Sequence, residues 1–329
     1  IMSYVGVDIS KDSFVVAFSS ASKSKTITYQ NDDKGIEKFI NTLDKEQHHC
    51  VMEATGNYGV NLLYHLCEQE IKVSLINPKQ SNFLSKMKLS TAKTDNKDAR
   101  LLVEYGEKMN PEVYKMPSDK IILLKQKQTV LTHLIKQRTA SKNQLKSLEL
   151  LNKKDNLAID MLKNNIDNLD KLIDNLEKDI VSITEEEFEK QVQLLTSIKG
   201  IGKKVATTLV IITNGFSFFE NPKQLSRYIG ICPTYQQSGK SLNYNGHINR
   251  NGHSTLRGQL FIASWSAAKY NSSCKALFER LREEGKPWKL AQIAVCNKLI
   301  RQAFAVIKSG VAYIDGHVPT LSVPMQTAI

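Results

Sequence analysis

The sequence predicts an α/β region at the N-terminus, then a long helical segment, then a mainly helical C-terminal region. Short β-rich runs alternate with amphipathic stretches up to residue 116. Leucine and isoleucine then recur at helical spacing from 117 to 190, a stretch almost free of Gly and Pro. From 191 to 329, amphipathic stretches are joined by turns rich in Gly, Ser and Asn. We therefore place the domain boundaries at 1–116, 117–190 and 191–329.

In the first region, three predicted strands are followed by alternating helices and strands. Tyr4–Ile9 and Phe14–Phe18 form a predicted hairpin around the polar turn Ser10–Ser13. The other predicted strands are Lys25–Tyr29, His49–Glu53 and Val73–Ile76, and the predicted helices are Ile36–Leu43, Tyr58–Glu68 and a stretch after Thr94. Asn77-Pro78 is expected to end the last strand. This order is that of an RNase H-like fold, although the hydrophobic pattern alone supports only an α/β class.

The helical segment carries apolar residues at alternating steps of four and three positions. These residues are Leu162, Ile166, Leu169, Ile173, Leu176, Ile180 and Ile183. Such spacing is a heptad seam and predicts a coiled coil. The stretch from Leu124 to Leu148 has similar spacing, so the two helices could pair across Asn152–Asn156 as an antiparallel hairpin, or pair with another chain. An ordinary helical spacer is the simpler alternative.

The composition indicates a basic protein that binds a polyanion. The 329 residues carry a formal net charge of +12 at pH 7, and such an excess of Lys and Arg attracts nucleic acid. A basic soluble protein without that ligand is the alternative. Five cysteines without CxxC spacing argue against a disulfide framework or a zinc site. Signal-peptide features are missing and the apolar runs are short, so we expect a cytoplasmic, nucleoid-associated protein with no membrane partner.

Four acidic residues of the first region are placed as ligands for a divalent cation. Asp8 lies in an otherwise apolar strand, where a carboxylate is costly unless it is paired or bound to a cation. Glu53 ends a strand, and Asp95 and Asp98 share one side of a helix that Thr94 caps. Oxygen ligands of this kind suit Mg²⁺ in phosphoryl transfer. The alternatives are a solvated strand end for Glu53 and a helix-dipole contribution from the helical pair.

Basic residues surround the helical acid pair. They are Lys86, Lys88, Lys93, Lys97 and Arg100. Acids flanked by cations predict a metal site that meets a phosphate backbone, with Lys93, Lys97 and Arg100 as its nucleic-acid contacts.

The sequence LLTSIKGIGKKVATTL, residues 194–209, has the pattern of a helix-hairpin-helix. Gly200 and Gly202 would let the backbone approach a phosphate, and the following helix would offer free N–H groups. Lys199, Lys203 and Lys204 add positive charge. The alternative is a tight turn between two packed helices.

A Gly-, Ser- and Asn-rich stretch follows and presents Ser238 next to Gly239 and Lys240. A serine in such an electropositive turn could act as a nucleophile if it is activated. Ser241 and Ser254 compete for this role, and a plain turn residue is the alternative. Arg257 is a candidate phosphate ligand or surface ion-pair partner, and His247 and His253 fit no common zinc pattern. After Gly310 there is no strong pattern, and we expect loose order there.

These motifs together resemble one family of insertion-sequence transposases. YVGVDISKDSF, VMEATGNYG and AKTDNKDARLL resemble the acidic motifs of its RuvC-like Asp-Glu-Asp-Asp domain. SIKGIGKKVATTL, LSRYIGICPTYQQSGKS and INRNGHSTLRGQL resemble its serine-bearing C-terminal domain, and pilin-gene invertases are related. The resemblance implies that Asp8, Glu53, Asp95 and Asp98 hold Mg²⁺ or Mn²⁺, and that Ser238 forms a phosphoserine link to DNA.

The resemblance also implies the partners. They are double-stranded donor and target DNA, a structured noncoding bridge RNA that guides the enzyme, and further copies of the chain in a dimer or tetramer with a composite active site. The family often has Asn at the position of Ser254, which favours Ser238 over Ser254 as the nucleophile.

Three function classes follow from these observations. A serine-using recombinase is the leading hypothesis, and a RuvC-like structure-selective endonuclease that uses water is the alternative. A non-catalytic nucleic-acid-binding protein is the third, although all four acids are present. No GxGxxG or GxxxxGK[ST] motif follows a strand, which argues against a dehydrogenase or a P-loop kinase.

Overall fold

The computed structural model describes residues 3–19, 25–54, 56–89, 94–238, 242–248 and 252–316, with the backbone alone for 234–238 and 242–247. The chain divides into two compact units, Ile1–Met116 and Pro117–Ile329. The first unit is a mixed α/β domain and the second is mostly helical, so the predicted fold class is confirmed at this level. The long helices from 117 to 190 belong to the second unit.

A five-stranded sheet forms the centre of the first unit. Its strands are β1 (Ser3–Ile9), β2 (Ser13–Phe18), β3 (Thr26–Gln30), β4 (His48–Glu53) and β5 (Lys72–Ile76). They are arranged in the order β3-β2-β1-β4-β5. β2 pairs antiparallel with β1 and β3, whereas β4 pairs in parallel with β1 and β5. All five strands were predicted from their β-rich runs.

Helices pack on both faces of this sheet. They are α1 (Asp33–Ile40), α2 (Val60–Glu68), α3 (Pro78–Met87) and α4 (Asp95–Met109), with a short 3-10 helix at Gly56–Gly59. Helix α3 was not predicted, because Asn77-Pro78 was interpreted only as the end of a strand. Asn77 in fact caps α3, with Gln80 completing a capping box, and Pro78 takes the first helical position, where its missing N–H costs nothing.

Two close contacts at glycines fix the position of α4 on β1. A Cβ atom on Gly6 would lie 2.0 Å from the carbonyl oxygen of Ala99, and one on Gly106 would lie 2.5 Å from the ring of Tyr4. The helix therefore runs antiparallel to β1, with its C-terminal half over Tyr4. Its first turn consequently lies towards the carboxyl end of β1, beyond Gly6.

The second unit begins with an antiparallel pair of long helices, α5 (Asp119–Glu149) and α6 (Asn156–Thr196). The seam residues Ile166, Leu169 and Ile173 are buried, and Arg138 of α5 forms an ion pair with Asp170 of α6. The predicted hairpin across Asn152–Asn156 is thus present within one chain. Helix α6 is kinked at Phe188, which leaves helical geometry.

The remaining elements are α7 (Lys203–Thr213), α8 (Pro222–Ile229), β6 (Pro233–Ser238), β7 (Leu242–Ile248), α9 (Ser254–Tyr270), α10 (Ser272–Glu283) and α11 (Trp288–Ser309). β6 and β7 form an antiparallel hairpin. That hairpin was not predicted, because its Gly- and Asn-rich composition is typical of turns.

Among the helices of the described residues, only α11 passes the length and composition criteria for a helix that could cross a membrane. The expectation from the sequence rested on uninterrupted apolar runs, and polar residues interrupt the apolar pattern of this helix. Val295, Leu299 and Ile300 of this helix are fully buried in the core of the second unit. Packing of that core accounts for its apolar composition.

Candidate functional site

Asp8 and Glu53 lie at the carboxyl ends of two neighbouring parallel strands. Val7 of β1 is in register with Met52 of β4, so the next residues along the chain are Asp8 and Glu53. Their Cβ atoms leave the sheet on the same face, the face that carries α4, and the strands are about 4.8 Å apart. Asp8 is half-buried near the strand end. The sequence suggested full burial, so its carboxylate loses less hydration than expected.

The Glu53 carboxylate is held by a residue that the sequence analysis missed. It accepts a hydrogen bond from the hydroxyl of Ser81 in α3, and Ser81 is 3% exposed. The Asn-Pro pair at the start of α3 is a helix-start signal that could have located this residue. The bond orients Glu53 towards the side of the sheet on which α3 and α4 pack.

Asp95 and Asp98 lie in the first turn of α4. Thr94 caps this helix, as predicted, because its side chain accepts a hydrogen bond from the backbone N–H of Lys97. Asp95 is exposed and Asp98 is half-buried. Since α4 runs antiparallel to β1, both acids lie at the end of the unit where Asp8 and Glu53 end their strands.

The four acids therefore share one end of the unit and offer only hard oxygen donors, which suits Mg²⁺. Within the described part of the chain, no three His, Cys, Asp or Glu side chains gather closely enough to hold a metal ion. The backbone brings the acids to one edge, while the side chains do not form a closed ligand set. Lys93 lies outside the described residues, and Lys97 and Arg100 are exposed on α4.

The two glycines of the predicted helix-hairpin-helix have different surroundings. Gly200 has a φ of +109°, and a Cβ atom there would lie 2.6 Å from the Cβ of Ala267 in α9. Gly202 has no heavy atom within 4 Å of such an atom and has a φ of −84°. Both glycines were predicted to contact a phosphate; packing against α9 explains Gly200, and of the two only Gly202 faces open space.

Replacing Gly200 by Ala should destabilise the chain by about 2–4 kcal/mol, from positive-φ strain and overpacking against Ala267. Replacing Gly202 by Ala should cost less than about 1 kcal/mol, because its φ is ordinary and its surroundings are open. Urea unfolding of the two variants measures the difference. Equal losses would contradict the packing role of Gly200.

The three lysines of this turn already have acidic partners. Lys199 lies 2.9 Å from Asp315, Lys203 lies 2.8 Å from Glu185, and Lys204 pairs with Glu177 of α6. These lysines are more than half exposed, and such surface ion pairs contribute at most about 1 kcal/mol. A phosphate backbone would have to displace these carboxylates to use the lysines that the sequence analysis assigned to it.

Residues after Gly310 were expected to be loosely ordered. In the described part of this segment, up to residue 316, side-chain and backbone contacts hold it in place. The hydrogen bond from Lys199 and those from Ser272 lower the pKa of Asp315 to about 2. The backbone N–H of Tyr313 also donates to the hydroxyl of Ser197, at 2.8 Å. Both contacts tie residues after Gly310 to the turn between α6 and α7.

The candidate nucleophiles lie on different elements. Ser238 is the last residue of β6 and pairs with Leu242 of β7, so it stands at the tip of the hairpin. Lys240 and Ser241 lie outside the described residues. Ser254 is exposed and is the first residue of α9.

Arg257 also has a structural contact, and its predicted role as a phosphate ligand stays a prediction. Its guanidinium donates to the carbonyl of Ile229 at 3.0 Å, where α8 ends. A terminal helix carbonyl lacks an intrahelical partner, so this contact completes the end of α8. His253, expected at most as a phosphate or turn contact, caps α9, because its Nδ1 accepts from the N–H of Leu256 at 3.2 Å.

This cap predicts a pH dependence of stability. Burial, and then the charge of Arg257, lower the pKa of His253 below its ordinary value of 6.5. The unfolded chain therefore binds a proton first as the pH falls, and stability decreases below pH 6.5. Asn is also a good cap and does not titrate. The variant His253→Asn should lose less stability than the native chain between about pH 7 and about pH 5.

Chemical unfolding at both pH values checks this difference. The pKa of the buried His49 is also lowered by burial, and this effect is common to both proteins, so it cancels in the comparison. The same loss of stability in both chains would contradict the titration of His253.

All five cysteines are free thiols. Burial raises the pKa of Cys50 and of Cys274 to about 12. Thiols with such a pKa stay protonated, so these two are structural side chains rather than nucleophiles.

Comparison with known proteins shows a likeness along nearly the whole chain. Residues 5–152 match a transposase family of the IS110 DEDD type, and residues 192–279 match the family described as transposase IS116/IS110/IS902. The pilin gene-inverting proteins of Moraxella lacunata and Moraxella bovis are each 30% identical over 316 residues, covering 93% of this chain and 95% of theirs.

A protein of insertion element IS110 from Streptomyces coelicolor is 26% identical over 120 residues, which cover 36% of this chain and 29% of that protein. The first family match spans the α/β unit and α5, and the second lies within the helical unit. The chain belongs to the IS110 family of transposases and is an enzyme of DNA recombination.

Proposed function

We propose that the chain cleaves and exchanges DNA strands by serine attack on a phosphodiester, with a divalent cation held in an RNase H-like first unit. The sheet order β3-β2-β1-β4-β5, with β4 and β5 parallel to β1, supports that fold. The observation that carries the proposal is the in-register placement of Asp8 and Glu53 beside the first turn of α4.

Asp8, Glu53, Asp95 and Asp98 would hold Mg²⁺ or Mn²⁺. A bound cation of this kind supplies positive charge to the oxygens of a phosphodiester. Ser81 orients Glu53 through its hydroxyl, and the free N–H groups of the first turn of α4 favour negative charge nearby. The family assignment indicates a dependence on a divalent cation and does not select the ion.

Ser238 would supply the nucleophile. Its Oγ forms a bond to phosphorus, the bond from phosphorus to one sugar oxygen breaks, and that oxygen takes up a proton as a hydroxyl. The phosphoserine link conserves the phosphodiester bond energy, so that the second DNA strand can displace the serine. The place of Ser238 at the tip of the β6–β7 hairpin supports this role, because a hairpin tip can reach a substrate.

The partners are donor and target DNA duplexes, a structured guide RNA, and further copies of the chain. The net charge of +12 supports binding of both nucleic acids. The relatives are named pilin gene-inverting proteins, and the inversion of a gene requires DNA as a partner. The composite active site would then draw the acids and the serine from different copies.

The test begins by sequencing the nucleic acids that purify with the full chain. DNA that carries the recovered sequence is then incubated with the protein and Mg²⁺ and separated on a denaturing gel. We expect a covalent protein–DNA species together with recombined DNA. Cleaved DNA without any covalent species would contradict the serine mechanism and favour the endonuclease that uses water.

A further inference from the structure

A cleft of about 760 Å³ in the second unit lies between α5 and the start of α9. It is also lined by residues of α6 and α7, including Lys204, Thr207 and Thr208. Its size is in the range of pockets that take one small ligand, about 300–1,000 Å³.

Two buried polar atoms in this cleft have no hydrogen-bond partner among the described residues. They are Oγ1 of Thr207 and Oε1 of Gln259. Thr207 is only 2% exposed, and its neighbour Thr208 makes the usual helical bond to the carbonyl of Lys204 at 2.9 Å. A buried polar atom without a partner costs about 1–3 kcal/mol, so a ligand that supplies the missing bonds is favoured.

The charges around the cleft select an anion. Lys125, Lys136 and Lys204 line it, against a single lining carboxylate, Glu177, which already pairs with Lys204. Lys125 and Lys136 form no ion pair with any residue in the described ranges. Burial without a neighbouring carboxylate lowers the pKa of Lys125.

The start of α9 adds neutral donors. Ser254 and Thr255 line the cleft in the first turn of this helix, where backbone N–H groups have no intrahelical partner. Helix N-termini stabilise phosphate groups through such N–H groups and the helix dipole. The hydroxyl of Thr207 is a further donor for the same group.

We propose that this cleft binds a phosphodiester of a single nucleic-acid strand, with Lys136 and the hydroxyl of Thr207 as ligands. The cleft is far too small for a duplex, and three lysines against one carboxylate in its lining favour a phosphate. Binding here would position a strand without acting on it, because the described lining residues include no carboxylate besides Glu177. The inference does not rest on the serine mechanism.

Two substitutions test the site in the full chain. Thr207→Val keeps the shape of the side chain and removes an unpaired hydroxyl, so folding should be unaffected or improved. Lys136→Gln removes one charge from an exposed position. The matched controls are Thr184→Val, at a buried threonine of α6 outside the cleft, and Lys146→Gln, at an exposed position farther along α5.

Binding is measured by fluorescence anisotropy with a short labelled oligothymidylate and the matching oligouridylate, without strand transfer. Thr207→Val should weaken binding about tenfold, which corresponds to one lost bond to a charged group. Lys136→Gln should weaken binding about three- to tenfold. It should also reduce the slope of log affinity against log salt concentration by the amount that about one phosphate contact contributes. The control variants should bind like the native chain.

If the substitutions weaken binding of one oligonucleotide more than that of the other, the stronger effect identifies DNA or RNA as the source of the phosphodiester. Equal effects would indicate that the cleft contacts only the phosphate backbone of the strand. The inference is overturned if both cleft variants bind the oligonucleotides like the native chain, or if neither oligonucleotide binds. It is also overturned if Lys146→Gln weakens binding as much as Lys136→Gln does. A covalent adduct in the denaturing-gel test would still appear in those cases, so the two failures are distinguishable.

Discussion

Replacing Ser238 by Ala should reduce strand exchange by more than about 10³-fold, because loss of a nucleophile removes the covalent route. Binding of DNA and RNA should stay within about twofold, since one hydroxyl at the tip of the β6–β7 hairpin contributes little to polyanion binding. The yield of recombined plasmid measures the first effect, and a mobility-shift titration measures the second.

The matched controls are Ser241→Ala, three residues farther along the chain, and Ser254→Ala, at the start of α9. Both should retain strand exchange within a few fold if Ser238 alone attacks. Full recombination by the Ser238 variant, or loss of recombination only in one of the controls, would move the nucleophile to another residue.

Replacing Asp8 by Asn should lower DNA cleavage about 10²–10³-fold, because removing one preorganised charged group at a phosphoryl-transfer site has an effect of this size. The amide is close in shape to the carboxylate, so the strand pairing of β1 should be kept. The rate of strand cleavage at saturating Mg²⁺ measures the effect, and thermal unfolding followed by circular dichroism verifies the fold.

Glu46→Gln provides the control, at an exposed loop position of the same unit. It should leave cleavage unchanged, because it lies before β4 and away from the carboxyl ends of the strands. Unchanged cleavage by the folded Asp8 variant would exclude the acidic end as the catalytic centre.

Periodicity predicted most of the fold, and composition caused the errors. All five strands of the first unit follow from β-rich runs, and the hairpin of α5 and α6 follows from the seam around Ile166 and Ile173. Helix α3 and the β6–β7 hairpin were missed, because Asn-Pro and Gly-rich stretches occur both in turns and at the ends of regular elements.

The candidate site was predictable in its position and less so in its contacts. Asp8 was identified as a carboxylate in an otherwise apolar strand and Glu53 from its place at a strand end, and parallel pairing puts them side by side. The partners of Lys199 and Arg257 depend on tertiary structure, since Asp315 lies 116 residues from Lys199. Local spacing carries no information about such a pair.

The most direct measurement is mass spectrometry of the covalent protein–DNA species after digestion with nuclease and trypsin. Cleavage after Arg227, Lys240 and Arg250 places Ser238 and Ser241 in different peptides. We expect a nucleotide phosphate on the peptide 228–240, in which Ser238 is the single serine. A nucleotide on the peptide 241–250 or 251–257 would contradict attack by Ser238. So would an enzyme that cleaves DNA while none of its peptides carries a nucleotide.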